Sequence, residues 1–313
     1  MGVPDLSESG RYRLSLIVHH FHAAASASSR GLLNPPVYLS ITFVMGGFAI
    51  ASGQGERISV LSVFGMLLSI ILVSAATNAL DDYFDYIRKV DRLDSPNTKY
   101  RRHPIFDLGI SPSRMLLYGI MEIIAMICVV LIFSYALHSL IFLLVIPVGI
   151  AISFGYTGPP LGLKYRGLGE ITVASGFVAV TCIEGVMSGI RFTVPVIAFI
   201  FMDAILFAMV LLSGNIRDIK SDMESGCRTL VVRIGIRRSE SLFLALSIAS
   251  LSAFAYITLM ENILRIYVII VPLAGVAFMN YRLRRYDLDY IERDIGNTVF
   301  AITLVSLFLI WFP

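Results

Sequence analysis

One spacing of oxygen-bearing side chains occurs twice in this chain of 313 residues. The first acidic set is Asn78, Asp81 and Asp85. The second acidic set, 137 positions later, is Asn215, Asp218 and Asp222. Positions i, i+3 and i+7 share one face of an α-helix, so each set directs its oxygens the same way. Facing carboxylates need a strong counter-charge, and Mg²⁺ prefers oxygen ligands and completes its shell with water and phosphate. The spacing therefore predicts a metal-bridged diphosphate site.

Basic residues accompany each set. Arg88 and Lys89 follow the first acidic set, and Arg217, Lys220 and Arg228 lie within or after the second. Acids alone would bind only a cation. Acids together with bases suit a metal–diphosphate, because Arg and Lys can contact the phosphate oxygens that the metal leaves open. These five residues are therefore predicted to bind diphosphate.

The composition predicts a membrane protein with many spans. Hydrophobic residues make up 57% of the chain, charged residues only 15%, and the mean hydropathy is +0.79. Such values are typical of helical membrane proteins. The apolar stretches, each near the roughly 20 residues that cross a bilayer, lie at about 36–54, 58–80, 113–134, 138–155, 170–190, 193–213, 240–259, 263–281 and 295–312.

The basic residues are distributed unevenly between the loops. If the N-terminus lies inside, 22 of the 25 Lys and Arg residues fall on inner segments, and only Arg57, Arg191 and Arg265 fall outside. This asymmetry follows the positive-inside rule. It predicts an integral protein of the cell membrane with a cytoplasmic N-terminus and an external C-terminus. Both acidic sets then face the cytoplasm.

The chain divides into an N-terminal segment and a transmembrane domain. Residues 1–35 are predicted to form an amphipathic segment on the membrane surface, with a cleaved signal peptide as the alternative. Residues 36–313 carry the nine spans. Four spans separate the two acidic sets, an even number, so the halves are predicted to be two parallel four-helix repeats followed by a ninth helix. Long basic loops at about 86–112 and 215–239 are predicted to cap the site; these are the first and second cap loops.

Three stretches carry a resemblance to a known family. Residues 82–85 read DYFD, with Asp91 six positions after the last of them. Residues 156–170 read YTGPPLGLKYRGLGE, and residues 215–222 read NIRDIKSD before a GCRTL continuation. With the placement of the acidic sets after the second and sixth spans, the chain resembles the UbiA superfamily of intramembrane prenyltransferases over nearly its whole length. Within it, the details are similar to the menaquinone-type dihydroxynaphthoate polyprenyltransferases.

The resemblance implies an all-α fold of nine transmembrane helices around a central cavity, and it implies roles for individual residues. The implied catalytic residues are Asp85, Asp91, Asp218 and Asp222, with Asp91 on the acceptor side. The expected diphosphate-binding residues are Asn78, Arg88, Lys89, Lys164, Arg217, Lys220, Arg228 and Tyr156. A pair of Mg²⁺ ions is expected, for which Mn²⁺ could substitute. The expected metal ligands are Asp81, Asp82, Asp85, Asn215, Asp218 and Asp222.

One position departs from the family pattern. The family usually has Asn where this chain has Asp81, and Asn78 lies one turn earlier. Which of Asp81 and Asp82 binds the first metal therefore stays open. Three single acids in spans, Glu122, Glu184 and Asp203, are predicted to make hydrogen bonds between helices rather than to catalyse.

The sequence thus predicts Mg²⁺-dependent transfer of a polyprenyl group from its diphosphate to a naphthoate quinone precursor. Its partners would be the prenyl diphosphate donor, a small aromatic or lipid acceptor and membrane lipids, with no nucleic acid. Within the same class, the acceptor could be a hydroxybenzoate, a haem precursor or geranylgeranylglyceryl phosphate, as in a digeranylgeranylglyceryl phosphate synthase. The alternative of another class is a cation-coupled transporter, which predicts acids near the membrane midplane in inverted halves.

Overall fold

The computed structural model describes residues 35–99, 103–261, 269–285 and 291–311. Within these ranges the chain is helical and contains no β-strand. Residues 1–34 of the predicted interfacial segment lie outside the described residues, and its last residue, Pro35, begins the first described helix.

Long helices account for most of the described chain. In order, α1 to α9 are Pro35–Gly53, Val60–Ile87, Pro112–Ala136, Val145–Ser153, Gly169–Met187, Val194–Ser225, Ile236–Glu261, Ile270–Arg284 and Ile291–Trp311. Two short α-helices, Pro96–Lys99 and Leu230–Ile234, and two 3₁₀ turns, Ile141–Leu144 and Lys164–Arg166, lie between them.

Each predicted apolar stretch overlaps one of these helices. Five described helices are long and apolar enough to cross a membrane, namely α2, α3, α5, α6 and α7 up to Met260. Two further apolar helices, Leu39–Gly53 and Ile141–Ser153, are shorter. The chain is therefore an integral membrane protein with an all-helical fold.

Both helices that carry the acidic sets extend past their apolar parts. The helix α2 ends at Ile87, so the first acidic set lies on its last turns. The second cap loop begins later than expected, because α6 continues to Ser225 and ends at Gly226, which has a φ of +75°. Glycine adopts this left-handed conformation without the steric cost that a side chain would bring. The second acidic set is therefore held on a rigid helix.

The helices pack into a ring. The helix α2 packs against α1, α3 and α4; α6 packs against α5, α7 and α9; and contacts of α1 with α9 and of α4 with α5 close the ring. Small residues allow the closest approaches. A Cβ atom on Gly119 of α3, for example, would lie 2.7 Å from the Leu80 side chain of α2. Five of these helices, α1, α2, α4, α5 and α6, line the cavity described below.

One buried hydrogen bond joins α6 to α9. Thr303 Oγ1 donates to Asp203 Oδ1 over 2.6 Å, and both side chains are buried. The prediction of hydrogen bonds between helices is confirmed for Asp203. It is wrong for Glu184, whose two carboxylate oxygens are buried and have no hydrogen-bond partner among the described residues.

Candidate active site

A single cavity receives both acidic sets. It encloses about 1130 Å³ of space, part of it open to solvent, and α1, α2, α4, α5 and α6 contribute to its wall. All members of the two sets line it: Asn78, Asp81, Asp85, Asn215, Asp218 and Asp222. The chain folds so that four carboxylates and two amides, 137 positions apart in sequence, share one space.

The cavity is polar at one end and apolar beyond it. On α2 the apolar lining residues Ile70 and Val73 lie more than one helical turn before Asn78, where the first acidic set begins. On α6, Phe207 and Leu211 precede the second acidic set in the same way. The rings of Phe177 and Phe207 lie with their centroids 4.3 Å apart. We call this apolar part the tail chamber; its lining residues are Ile70, Val73, Ile152, Val173, Phe177, Phe207 and Leu211.

Lys164 contacts the first acidic set directly. Its Nζ atom lies 2.7 Å from Asp81 Oδ1 and 2.5 Å from Asp85 Oδ2. Burial by itself lowers the pKa of the Lys164 ammonium, but the carboxylates of Asp81 and Asp85 outweigh burial and raise that pKa well above its ordinary value of 10.5. The two carboxylates therefore favour the charged form of Lys164 inside the cavity.

The loop before α5 places Lys164 through its backbone. The Lys164 N–H donates to the carbonyl oxygen of Tyr156 over 2.9 Å, and the chain turns at Gly162 and Gly167, whose φ values of +49° and +72° suit glycine. The hydroxyl of the neighbouring Tyr165 donates to Asp85 Oδ1 over 2.6 Å. Asp85 thus accepts hydrogen bonds from two consecutive residues of this loop.

Members of the second acidic set are held by different partners. Arg217 forms a two-pronged ion pair with Asp218, with nitrogen–oxygen distances of 2.8 and 2.7 Å. The Asn215 side-chain nitrogen donates to Glu170 Oε1 over 2.8 Å. This hydrogen bond engages the nitrogen of the amide, so its oxygen is the atom that Asn215 can offer to a cation.

Asn78 offers a hydrogen-bond donor to the cavity. Its side-chain nitrogen is buried, and no hydrogen-bond partner for it exists among the described residues. A buried donor without a partner costs free energy, and a ligand oxygen would supply the missing acceptor. This fits the predicted role of Asn78 in binding a diphosphate oxygen.

The donors around the polar end suit Mg²⁺. Hard divalent cations prefer carboxylate and amide oxygens, and this end of the cavity presents such oxygens from α2 and α6 with no sulfur or imidazole ligand among its lining residues. The two sets are on opposite sequence halves, so ions between them would be held by both helices. The residues present therefore fit the expected metal.

Asp82 does not share the cavity with its neighbours. It is fully buried and is absent from the cavity wall, whereas Asp81 and Asp85 line it. The physical reason is the helical period, because one position along an α-helix rotates the side chain by about 100°. Of the two alternatives for the first metal, Asp81 is thus the residue that lies beside Asp85, and Asp82 instead approaches His103.

A buried cluster of two carboxylates and one histidine extends back from the cavity wall. The ligand atoms of Asp82, Asp91 and His103 all lie within 4.8 Å of one another. Asp91, the expected acceptor-side residue, also lines the cavity. Sequence reasoning missed His103, although it is the one histidine in either cap loop.

Four of the predicted diphosphate-binding residues lie outside the cavity wall. Arg88, Lys89, Lys220 and Arg228 are exposed, whereas Lys164, Arg217, Asn78 and Tyr156 line the cavity. The Arg88 guanidinium lies 4.0 Å from the centre of the Tyr165 ring.

A further contact missed by sequence reasoning joins the segments that follow the two acidic sets. Arg92 of the first cap loop pairs with Glu224 at the end of α6, with a nitrogen–oxygen distance of 2.5 Å. This ion pair ties the first cap loop to the helix that carries the second acidic set.

The fold and the cavity agree with comparison to known proteins. The UbiA prenyltransferase family matches residues 39–311. The chain therefore belongs to the UbiA prenyltransferase family.

Individual relatives refine this similarity. The chain is 30% identical over 200 residues to the 1,4-dihydroxy-2-naphthoate octaprenyltransferase of Bacillus subtilis (strain 168), covering 60% of each chain. It is 28% identical over 248 residues to UbiA prenyltransferase domain-containing protein 1 of Dictyostelium discoideum, covering 75% of this chain and 71% of that protein. The chain thus matches about three fifths of the length of the Bacillus enzyme.

Solved structures share the fold. A UbiA homologue from Archaeoglobus fulgidus bound to GPP and Mg²⁺ superposes with a TM-score of 0.62 at 21% identity, covering 90% of this chain and 99% of that chain. A digeranylgeranylglyceryl phosphate synthase structure gives a TM-score of 0.57 at 17% identity, covering 89% of this chain and 95% of that chain.

Proposed function

We propose that this protein transfers a polyprenyl group from its diphosphate to an aromatic acceptor of the naphthoate type, within the membrane. The observation that carries the proposal is the shared cavity, in which two acidic sets and Lys164 adjoin an apolar tail chamber. This combination matches the two halves of a prenyl diphosphate. The charged head needs metal and cations, and the hydrocarbon tail needs an apolar wall.

The donor would be oriented by the polarity of the cavity. Asn78 and Lys164 would contact diphosphate oxygens, with Arg217 on the opposite helix. The tail would lie along the chamber between α2, α5 and α6. Bound Mg²⁺, held by Asp81 and Asp85 of the first set and by Asn215, Asp218 and Asp222 of the second, would supply positive charge that stabilises the departing diphosphate.

These positions support the following reaction. The allylic C–O bond breaks and its electron pair leaves with the diphosphate, whose added charge Lys164 and Arg217 stabilise. An electron-rich carbon of the acceptor supplies the pair for the new C–C bond. The ring then loses its proton to a base. Asp91 lines the cavity six positions beyond Asp85 and is the carboxylate we assign to this proton.

The tail chamber protects the cationic stage of this reaction. Aromatic faces stabilise a nearby cation, and a dry wall keeps water from capturing it. Phe177 and Phe207 provide such faces in the chamber wall.

The relatives support the proposed class of acceptor. The Bacillus relative is named a dihydroxynaphthoate octaprenyltransferase, and the motifs at residues 82–91 and 156–170 are similar to that branch. A naphthoate quinone precursor is therefore the proposed acceptor. Geranylgeranylglyceryl phosphate is the second candidate, since a structure named for digeranylgeranylglyceryl phosphate synthesis has the same fold.

The proposed membrane arrangement has nine spans in two parallel repeats plus a ninth helix. The N-terminus would lie in the cytoplasm, the C-terminus outside, and the active site would face the cytoplasm. The distribution of Lys and Arg supports this orientation. The transporter alternative is disfavoured, because it expects acids near the midplane in inverted halves, whereas the acids of both sets meet at one end of one cavity.

The direct test is a product assay with detergent-purified protein. Several prenyl diphosphates are crossed with dihydroxynaphthoate, hydroxybenzoate and geranylgeranylglyceryl phosphate, each with Mg²⁺, with Mn²⁺ and with excess chelator. We expect a prenylated naphthoate and an equal amount of released diphosphate, both abolished by chelator. Full turnover in chelator would refute the metal requirement, and a prenylated lipid as the sole product would replace the acceptor.

A further inference from the structure

His103 lies behind Asp91 and is firmly held there. Its side chain is fully buried, and its ring packs against Phe106 with centroids 4.8 Å apart. Its backbone N–H donates to Asp107 Oδ2 over 2.5 Å, and its carbonyl oxygen accepts from the Asp107 N–H over 2.8 Å. This turn of the first cap loop therefore fixes both the backbone and the ring of the histidine.

The hydrogen bonds of His103 define which ring nitrogen carries the proton. The backbone N–H of Ile105 lies 3.2 Å from Nδ1, so Nδ1 accepts and carries no hydrogen. In a neutral imidazole the proton is then on Nε2. Nε2 lies 3.1 Å from Asp91 Oδ2, which makes it the donor of that hydrogen bond.

The same hydrogen bonds argue against a metal ion among Asp82, Asp91 and His103. A metal on Nε2 would bind through the lone pair of that atom, so Nε2 could carry no proton. Nδ1 carries none either, because it accepts from the Ile105 N–H. The ring would therefore have to lose both of its protons. Neutral imidazole is the form that binds metals in proteins. Asp82 Oδ1 is 3.8 Å from Nε2, which is too far for a hydrogen bond. The cluster is therefore organised around the pair of His103 and Asp91.

The Asp91 backbone lies just beyond the end of α2. Asp91 follows the end of α2, where the chain turns through Lys89 at a φ of +60°. Its N–H reaches the carbonyl oxygen of Asp85 over 3.3 Å, which is a long hydrogen bond. Asp91 thus lies outside the helix that carries Asp85, and the hydrogen bond from His103 Nε2 reaches its side chain there.

We propose that His103 is a positioning residue for the transfer reaction: its Nε2–H holds one oxygen of Asp91 and so keeps that carboxylate directed at the acceptor in the cavity. This inference rests on the proposed function. His103 contacts neither the diphosphate nor the metal site, yet it determines how efficiently the acceptor is prenylated. Such supporting residues matter because a displacement of about 1 Å at a reacting group can cost roughly 10²-fold in rate.

The test measures how tightly cleavage of the donor is coupled to prenylation of the acceptor. In the wild-type protein with Mg²⁺, the ratio of prenylated acceptor to released diphosphate defines the coupling. His103→Leu should lower kcat/KM for the acceptor about 10- to 100-fold and lower this ratio. Binding of the prenyl diphosphate with Mg²⁺, measured by calorimetry, should change less than about threefold.

His103→Gln keeps an N–H near the position of Nε2 and should restore most of the coupling. Lys99→Ala, an exposed change in the same cap loop, is the matched control.

A double-mutant cycle separates positioning from a purely structural role. If His103 acts through Asp91, the variant with both His103→Leu and Asp91→Asn should have the same kcat/KM for the acceptor as Asp91→Asn alone. Additive losses would overturn the proposal, as would unchanged coupling in His103→Leu. Weakened binding of the donor with Mg²⁺ in His103→Leu would also overturn it and point to a metal at this cluster. Equal failure of His103→Leu and His103→Gln, with lowered melting temperatures in both, would assign His103 to folding alone. If the wild-type protein prenylates no acceptor, the proposed function fails instead.

Discussion

Lys164 Nζ lies 2.5 Å from Asp85 Oδ2 although 79 positions separate the two residues in the chain. This ion pair connects the loop before α5 to the last turns of α2. It places a buried positive charge at the polar end of the cavity, where the diphosphate of the donor would lie. The pair therefore joins two parts of the site whose relation no local motif reveals.

Loss of the Lys164 charge should weaken donor binding. Lys164→Met removes the cation between Asp81 and Asp85 and leaves two carboxylates without it, so the diphosphate meets more negative charge. We expect prenyl diphosphate affinity to fall at least about tenfold, in line with the roughly 1.5–3 kcal/mol of a charged hydrogen bond. Calorimetry in Mg²⁺ measures this. Lys164→Arg, which keeps the charge, should lose less, and equal affinity of Lys164→Met and wild type would contradict the assignment.

The raised pKa of Lys164 predicts low chemical reactivity. Only the neutral amine reacts with acylating reagents, and a pKa raised above 10.5 leaves less neutral amine at any pH below that value. At pH 8.5 without Mg²⁺, Lys164 should be acylated far more slowly than the exposed Lys99, as read by mass spectrometry. Asp85→Asn removes one of the stabilising charges, so it should lower that pKa and speed the labelling. Equal labelling of Lys164 and Lys99 would rule out the buried ion pair.

The second acidic set should be required for metal-dependent turnover. Asp218→Ala removes an oxygen that lines the cavity and is expected to lower turnover by about 10²-fold or more, the scale for loss of a key electrostatic stabiliser. Asp94→Ala, an exposed carboxylate of the first cap loop, is the matched control and should retain activity. Initial rates over a Mg²⁺ titration measure both. A fully active Asp218→Ala protein would exclude this residue from the metal site.

Substitutions at Asp81 and Asp82 should separate the two alternatives for the first metal. Asp81→Asn keeps an oxygen but removes a charge, so it should retain activity while raising the Mg²⁺ concentration required. Asp81→Ala should be much worse. Asp82→Asn should leave the Mg²⁺ requirement unchanged, because Asp82 lies behind the cavity wall. A shift in the Mg²⁺ requirement for Asp82→Asn alone would reverse the assignment.

The proposed orientation can be tested by thiol labelling in intact cells. In a background without the native cysteines, a cysteine at Lys99 or Arg228, both exposed and both in the cap loops, should resist an impermeant thiol reagent added outside. A cysteine at Arg57, exposed in the loop between α1 and α2, should react. Labelling of Lys99→Cys or Arg228→Cys from outside would place the active site on the other face.

Sequence reasoning predicted the helices and the acidic sets because both are local patterns. Each of the nine apolar stretches overlaps a helix among the described residues, and five of those helices are long and apolar enough to cross a membrane, so the number of spans stays a prediction. The spacing of Asn78, Asp81 and Asp85 indicated a shared face, and all three line the cavity. The resemblance added Lys164, which the structure brings to Asp85.

The rest depended on contacts between distant segments, which spacing does not encode. Basic residues close to the acidic sets in sequence, such as Lys220, are exposed, because a helix that lines a cavity turns most of its surface elsewhere. The hydrogen bond from Asn215 to Glu170 spans 45 positions and the pairing of His103 with Asp91 joins two sides of a loop. Neither follows from a period of 3.6 residues.

The tail chamber has a consequence for how the protein should be assayed. A donor with a hydrocarbon chain long enough to fill the tail chamber partitions into the bilayer before it binds the protein, since each buried methylene favours the bilayer by about 0.8 kcal/mol. The proposed donor would therefore reach the cavity by lateral diffusion within the membrane. Its apparent KM should follow the mole fraction of donor in the detergent or bilayer, so that adding empty micelles at constant total donor slows the reaction by dilution alone.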